Sequence, residues 1–243
     1  MATLHIAIGL SLVGSLGGVL VAATLLLFKD ALRVRLVPWL VSFAVGTLLG
    51  VALMDLLPEA LEILKPPAVF GTLLAGILTF FMFEKLVLWR HCHADHCEVH
   101  VAAAPLVLVG DGVHNFIDGA VIAAATAISV PLGISTALAV FAHEIPQEVG
   151  DFAILLSAGY SRMRALGFNI LSGLTAVAGV LVASLALNTA PAVLPYFLPV
   201  AAASFLYIAM SDLIPSLHRG PFERGALRQI LIVCAGIATV VFL

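Results

Sequence analysis

Charged residues are scarce in this chain. Asp, Glu, Lys and Arg make up 10% of its 243 residues, against about 25% in soluble domains. A water-soluble globule cannot cover its surface with so few. Hydrophobic residues at 62% equally exclude a disordered chain. Basic residues number 11 against 14 acidic ones, for a formal net charge of −3, so no basic surface exists for nucleic acid. Cysteine is almost absent. The three present cannot staple a fold. Cys92 and Cys97 lie in one histidine-rich stretch, and Cys234, in an apolar run, is expected to pack in the core.

What remains is long apolar runs. A helix needs about 20 apolar residues to cross a bilayer. The runs at 4–28, 36–57, 69–89, 104–126, 131–157, 165–187, 193–214 and 226–243 meet that length. They are continuous rather than alternating, which argues against a β-barrel. The expected fold is all-α: a polytopic membrane protein with eight transmembrane helices in a single domain over 1–243, with the lipid bilayer as its surroundings. No basic residue precedes Lys29, so the first run is expected to be a retained helix rather than a signal peptide. With the N- and C-termini outside, every lysine and arginine except Lys65 falls on the inner side, as the positive-inside rule requires. This topology, with no targeting segment, points to a plasma (inner) membrane. Gly14 with Gly18, and Gly46 with Gly50, have the GxxxG spacing that lets helices approach closely, within one chain or between two.

Ionisable side chains deep in a membrane are costly and usually have a task. The fourth run reads Asp111-Gly-Val-His114-Asn115-Phe-Ile-Asp118-Gly119. His114 and Asp118 share a helix face, with Asn115 on its flank and Asp111 one turn earlier. The fifth reads His143-Glu144-Ile-Pro146-Gln147-Glu148-Val-Gly150-Asp151. His143, Gln147 and Asp151 form one row, and Glu144 and Glu148 a parallel one. Pro146 cannot bond the carbonyl of Ala142, so a kink is expected. Both sets lie near the middle of their runs. The short connection at 127–130 makes the two helices antiparallel neighbours able to face each other. Imidazoles and carboxylates suit a divalent metal. A structural polar network, a proton relay and an intramembrane zinc hydrolase also use such residues. The HExxH protease helix is approached but not met, since Gln147 stands where its second histidine would be.

HNFIDG at 114–119 followed by HEIPQEVGDFAIL at 143–155 resembles the paired signature of the ZIP family of divalent metal transporters. It is most like the LIV-1-like branch, whose fifth helix reads HEIPHEVGD. The resemblance implies a transporter, not an enzyme, that moves Zn²⁺ (or Fe²⁺, Mn²⁺ or Cd²⁺) into the cytoplasm through a binuclear centre between helices four and five. No cofactor besides the transported ion is implied, and the oligomer implied is a homodimer. By position, the primary site would use His114, Asp118, His143 and Gln147. The second would use Asn115 and Glu144, with Asp118 and Gln147 shared. Gln147 replaces the branch's usual histidine. The sixth run offers Asn169, Ser172 and Thr175 where some relatives place a glutamate.

The resemblance also implies inverted repeats, helices one to three matching six to eight around the central pair. Ala52-Leu-Met-Asp55-Leu-Leu-Pro58 and Ala209-Met-Ser-Asp212-Leu-Ile-Pro215 echo one another in helices that run oppositely, as an inverted repeat requires. Asp55 and Glu59 are then candidate pathway carboxylates near the outer face, and Asp212 near the inner one. Asp111, Glu148 and Asp151 lie inward of the primary ligands. The stretch 90–100 contains His91, Cys92, His93, His96, Cys97 and His100. It is expected to be a cytoplasmic loop that receives or senses metal.

Overall fold

The computed structural model describes residues 2–89, 99–189, 191–218 and 226–242. Among them every regular element is helical. In chain order these are α1 (Ala2–Leu25), α2 (Asp30–Gly50), α3 (Leu57–Ile63), α4 (Pro66–Trp89), α5 (Val99–Ile128), α6 (Val130–Ser157), α7 (Arg162–Gly173), α8 (Thr175–Thr189), α9 (Leu194–Tyr207), α10 (Ile214–His218) and α11 (Ala226–Val241). The apolar runs explain this outcome. A backbone without water must satisfy its own N–H and C=O groups, and a helix does so within one segment. Thr3–Leu25, Arg35–Ile63 and Arg162–Leu187 are each long and apolar enough to cross a membrane. Pro66–Met82, Pro195–Ser211 and Ala226–Val241 are shorter apolar helices. Leu20, Leu78, Met82, Leu185 and Leu231 point outward, as a hydrocarbon surrounding permits. The stretch 90–98 lies outside the described residues, and with it His91, Cys92, His93, His96 and Cys97; His100 falls in the first turn of α5.

α5 and α6 form the centre. Only Ser129 separates them, and its hydroxyl caps α6 by accepting the N–H of Leu132 at 3.2 Å. So short a link leaves antiparallel packing as the sole option for the pair. α6 runs unbroken through Pro146. α1 packs along α6, and α8 along α5. Gly14 and Gly18 make the first contact possible: a methyl group on Gly14 would lie 3.2 Å from Val140 Cγ1, and one on Gly18 would lie 2.6 Å from Glu144 Cβ. Gly50 meets Val240 of α11 in the same way, at 3.2 Å. Both GxxxG pairs therefore seat helices of the same chain.

Two six-residue π-helical segments, Val51–Leu56 and Ile208–Leu213, join α2 to α3 and α9 to α10. They coincide with the two related motifs. In the first, the N–H of Leu57 reaches back five residues to Ala52; in the second, that of Ile214 reaches back five to Ala209. A proline follows each donor. Pro58 and Pro215 have no N–H to continue the ordinary four-residue ladder past these turns.

One core expectation is overturned. Cys234 is exposed, not packed in the core. α11 buries Gly236 and Val240, four residues apart on one face, and Cys234 precedes Gly236 by two residues, which turns it away from that face.

Candidate metal centre

Near the middle of α5 and α6, four side chains converge: His114, Asp118, His143 and Glu144. The two imidazoles meet edge to face, with their Nε2 atoms 3.1 Å apart. Asp118 Oδ2 lies 3.4 Å from His114 Nε2 and 3.1 Å from His143 Nε2. Glu144 Oε1 lies 3.6 Å from the first and 3.9 Å from the second. Tetrahedral ligation with bonds of ~2.0–2.1 Å would set neighbouring donors ~3.3 Å apart. The measured edges bracket that value. A cation at the centroid could be bound by all four.

The supporting contacts favour ligation. His143 Nδ1 lies 2.8 Å from the carbonyl of Ala139. A carbonyl can only accept, so Nδ1 holds the hydrogen, and Nε2 is the nitrogen turned toward the cluster. Phe205 of α9 stacks edge-on against the same ring at 6.0 Å, which fixes its plane. His143, Asp118 and Glu144 are buried, and His114 is partly exposed. Asp118 Oδ1 and both Glu144 oxygens accept no hydrogen bond. Buried carboxylates without partners are expensive, and a bound cation would remove that cost.

The other expected residues stand around this core. Asn115 and Gln147 both donate to Asp111 Oδ1, at 3.0 and 3.2 Å. Glu144, adjacent to His143 and expected at the second site, stands with the histidines and Asp118. Asp111 and Glu148 form a second group with Glu144, and Asp151 is buried further along α6. Asp55 and Glu59 join Glu62 in a cavity of about 360 Å³, together with Ser129 and Val240. That cavity brings the end of the π segment, the α5–α6 link and the end of α11 to one side of the bundle. Asp212 lies in the second π segment.

Sequence reasoning missed Ser15. Its buried hydroxyl reaches both the Asn115 side-chain oxygen and, at 3.1 Å, the carbonyl of Gly173. It thereby links α1, α5 and α7. Its position one residue after Gly14, on the helix that Gly14 and Gly18 seat against α6, was the available signal. Ser15→Ala should leave the Asn115 oxygen short of a donor and cost about 1–3 kcal/mol. Thermal unfolding in detergent should show a lower midpoint; an unchanged midpoint would remove this structural role.

The family model described as "ZIP Zinc transporter" matches residues 2–105 and 89–243. Zinc transporter ZIP13 of Pongo abelii is 34% identical over 220 residues, covering 83% of this chain and 65% of that protein. Zinc transporter ZIP4 of Homo sapiens is 34% identical over 245 residues, covering 72% of this chain and 38% of that protein. Zinc transporter ZIP10 of Danio rerio is 43% identical over 118 residues, covering 49% of this chain and 14% of that protein. The chain thus spans from about a seventh to just under two thirds of the length of these relatives. With the family model covering the chain from Ala2 to its end and the paired motifs meeting in space, this chain belongs to the ZIP zinc transporter family, in its LIV-1-like branch.

Proposed function

We propose that this protein carries divalent transition metal ions, Zn²⁺ foremost, across a membrane into the cytoplasm. The observation that carries this reading is the set of two imidazoles and two carboxylates between α5 and α6 whose donor atoms all lie within 4.8 Å of one another. The zinc-transporter relatives support the same cargo. A hydrolase fits less well. Catalytic zinc keeps an open position for water, whereas here four protein donors are close enough together to fill the set.

In this reading eight transmembrane helices alternate across the bilayer, both termini are outside, and the membrane is the plasma (inner) membrane. The paired π segments, each with a proline two residues past its end, support an inverted repeat. A hydrated ion enters at the Asp55, Glu59 and Glu62 cavity and sheds water stepwise. It is held by His114, Asp118, His143 and Glu144, with Asn115 and Gln147 beside them. Asp111, Glu148 and Asp151 then lead it inward, with Asp212 on the opposite repeat and the 90–100 histidine and cysteine stretch at the exit. Alternating access exposes the centre to one side at a time.

Purified protein in liposomes loaded with a zinc-sensitive dye tests this. Saturable entry of Zn²⁺ is expected at neutral pH. Imidazole must be neutral to ligate, so entry should weaken as the outer pH falls. Liposomes that show no more zinc entry than protein-free controls would overturn the proposal.

A further inference from the structure

Trp39 of α2 holds two arginines. The guanidinium carbon of Arg35 lies 5.5 Å from its ring centroid, and that of Arg228, on α11, lies 5.3 Å from it. Each contact alone is an ordinary cation–π pair. Together they bring two like charges to one ring, and like charges repel. Neither guanidinium has a carboxylate partner among the described residues. Both arginines are exposed, and Trp39 is half-buried. Arg228 also stands in the first turn of α11, where the positive end of the helix dipole disfavours a basic side chain. An anion at this place would offset all of these costs.

The helices behind this group are tightly packed. A methyl group on Gly46 would lie 2.2 Å from the carbonyl oxygen of Val233, and one on Gly236 would lie 2.5 Å from that of Phe43. Backbone contact this close pins α11 to α2. Gly46 meets Gly236, and Gly50 meets Val240, so the two helices run parallel. Trp39 and Arg228 continue the same register toward the N-terminal ends. Leu231, about one turn beyond Arg228 toward the middle of α11, is exposed. The result is a pair of cations on an aromatic ring with apolar surface directly alongside. Tryptophan favours the headgroup level of a bilayer, and basic pockets between helices on the cytoplasmic side suit anionic headgroups.

We propose that Arg35, Trp39 and Arg228 form a binding site for the phosphate headgroup of an anionic phospholipid. A guanidinium grips phosphate oxygens with two parallel N–H donors and can still stack on an aromatic face. The ring holds the two cations near each other, and the lipid phosphate neutralises them. An acyl chain of the same lipid lies along Leu231. That apolar neighbour is why a lipid fits better than a free phosphate ion. The bound lipid bridges α2 and α11 at the end where both begin. Only the choice of leaflet rests on the topology of the transport reading, which puts this end at the cytoplasmic face.

The full chain is reconstituted in vesicles of phosphatidylcholine and phosphatidylglycerol, with one of the two lipids spin-labelled on its acyl chain near the headgroup. The chain has two tryptophans, and Trp89→Phe leaves Trp39 as the only indole to be quenched. Each basic residue near an anionic lipid surface is worth about a factor of five. Labelled phosphatidylglycerol should therefore quench Trp39 as though enriched more than about tenfold over its share of the bilayer. Arg35→Gln together with Arg228→Gln should return it to that share. Arg228→Gln alone should lower the enrichment about fivefold, and it serves if the double variant does not fold. Arg164→Gln, which removes an exposed arginine of α7, should leave the enrichment unchanged, and so should inorganic phosphate added at constant ionic strength. Equal quenching by the two labelled lipids, enrichment that survives the double change, or an equal fall with Arg164→Gln would overturn the proposal. Loss of the enrichment on adding inorganic phosphate would overturn it too, by assigning the arginines to a soluble anion. Zinc entry tests the transport reading separately, and neither measurement decides the other.

Discussion

Zinc entry into liposomes is expected to fall to the protein-free level when His143 and Asp118 are both changed to alanine. The two residues face each other in the proposed metal site, His143 Nε2 lying 3.1 Å from Asp118 Oδ2. Loss of a group that merely supports a metal ligand typically costs 10–100-fold in affinity, and loss of two ligands should exceed that. The double change also removes a buried carboxylate together with the imidazole beside it. No lone charge from this pair is left behind, so folding should survive. His143→Ala alone leaves Asp118 facing only His114, at 3.4 Å, and should be the less stable of the two variants. Metal binding by calorimetry, measured beside flux, separates a lost site from a lost fold. Unchanged flux in a folded double variant would show that the cation does not pass between α5 and α6 at this point.

Much of this arrangement was legible in the sequence, for a physical reason. Apolar runs of membrane length dictate helices, and polar residues inside them stand out because hydrocarbon makes them costly. The α5–α6 pairing followed from the short link between them. What the sequence left open was the rotation of each helix about its axis. Spacing put His143 and Gln147 in one row and Glu144 in the next. The structure places the boundary between those rows at the cluster, so His143 and Glu144 both reach it. That rotation depends on α1, where Gly18 admits the Glu144 backbone, and on α9, where Phe205 abuts His143. Such contacts between distant segments leave no local signature. The π segments were half legible: the repeated Ala, Asp and Pro pattern was visible, but nothing in that pattern separates a widened turn from an ordinary one. Cys234 failed as a core residue because an apolar run conceals which side of a helix faces out.

Gly119→Val is expected to abolish both metal binding and stable folding. Gly119 ends the motif that contains His114 and Asp118, and it lies directly against the backbone of α8. A side-chain carbon there would overlap the carbonyl of Ala176, and the reciprocal carbon on Gly179 would overlap the carbonyl of Phe116. Both obstacles are backbone atoms, so no rotamer change can relieve them. α5 and α8 would have to separate, and Asp118, the preceding residue, would move with α5. Overpacking a tight contact costs about 1–3 kcal/mol and sometimes more. Within a membrane such contacts between small residues are themselves a principal source of helix association, so the upper end is expected. Gly110→Ala provides the control on the same helix. That position has open space around it, and alanine is favoured over glycine in a helix interior by about 1 kcal/mol. Thermal unfolding and metal binding should therefore be lost for Gly119→Val and preserved for Gly110→Ala. If Gly119→Val unfolds and binds as the parent does, α5 and α8 are not in backbone contact, and the placement of Asp118 that depends on that contact fails with it.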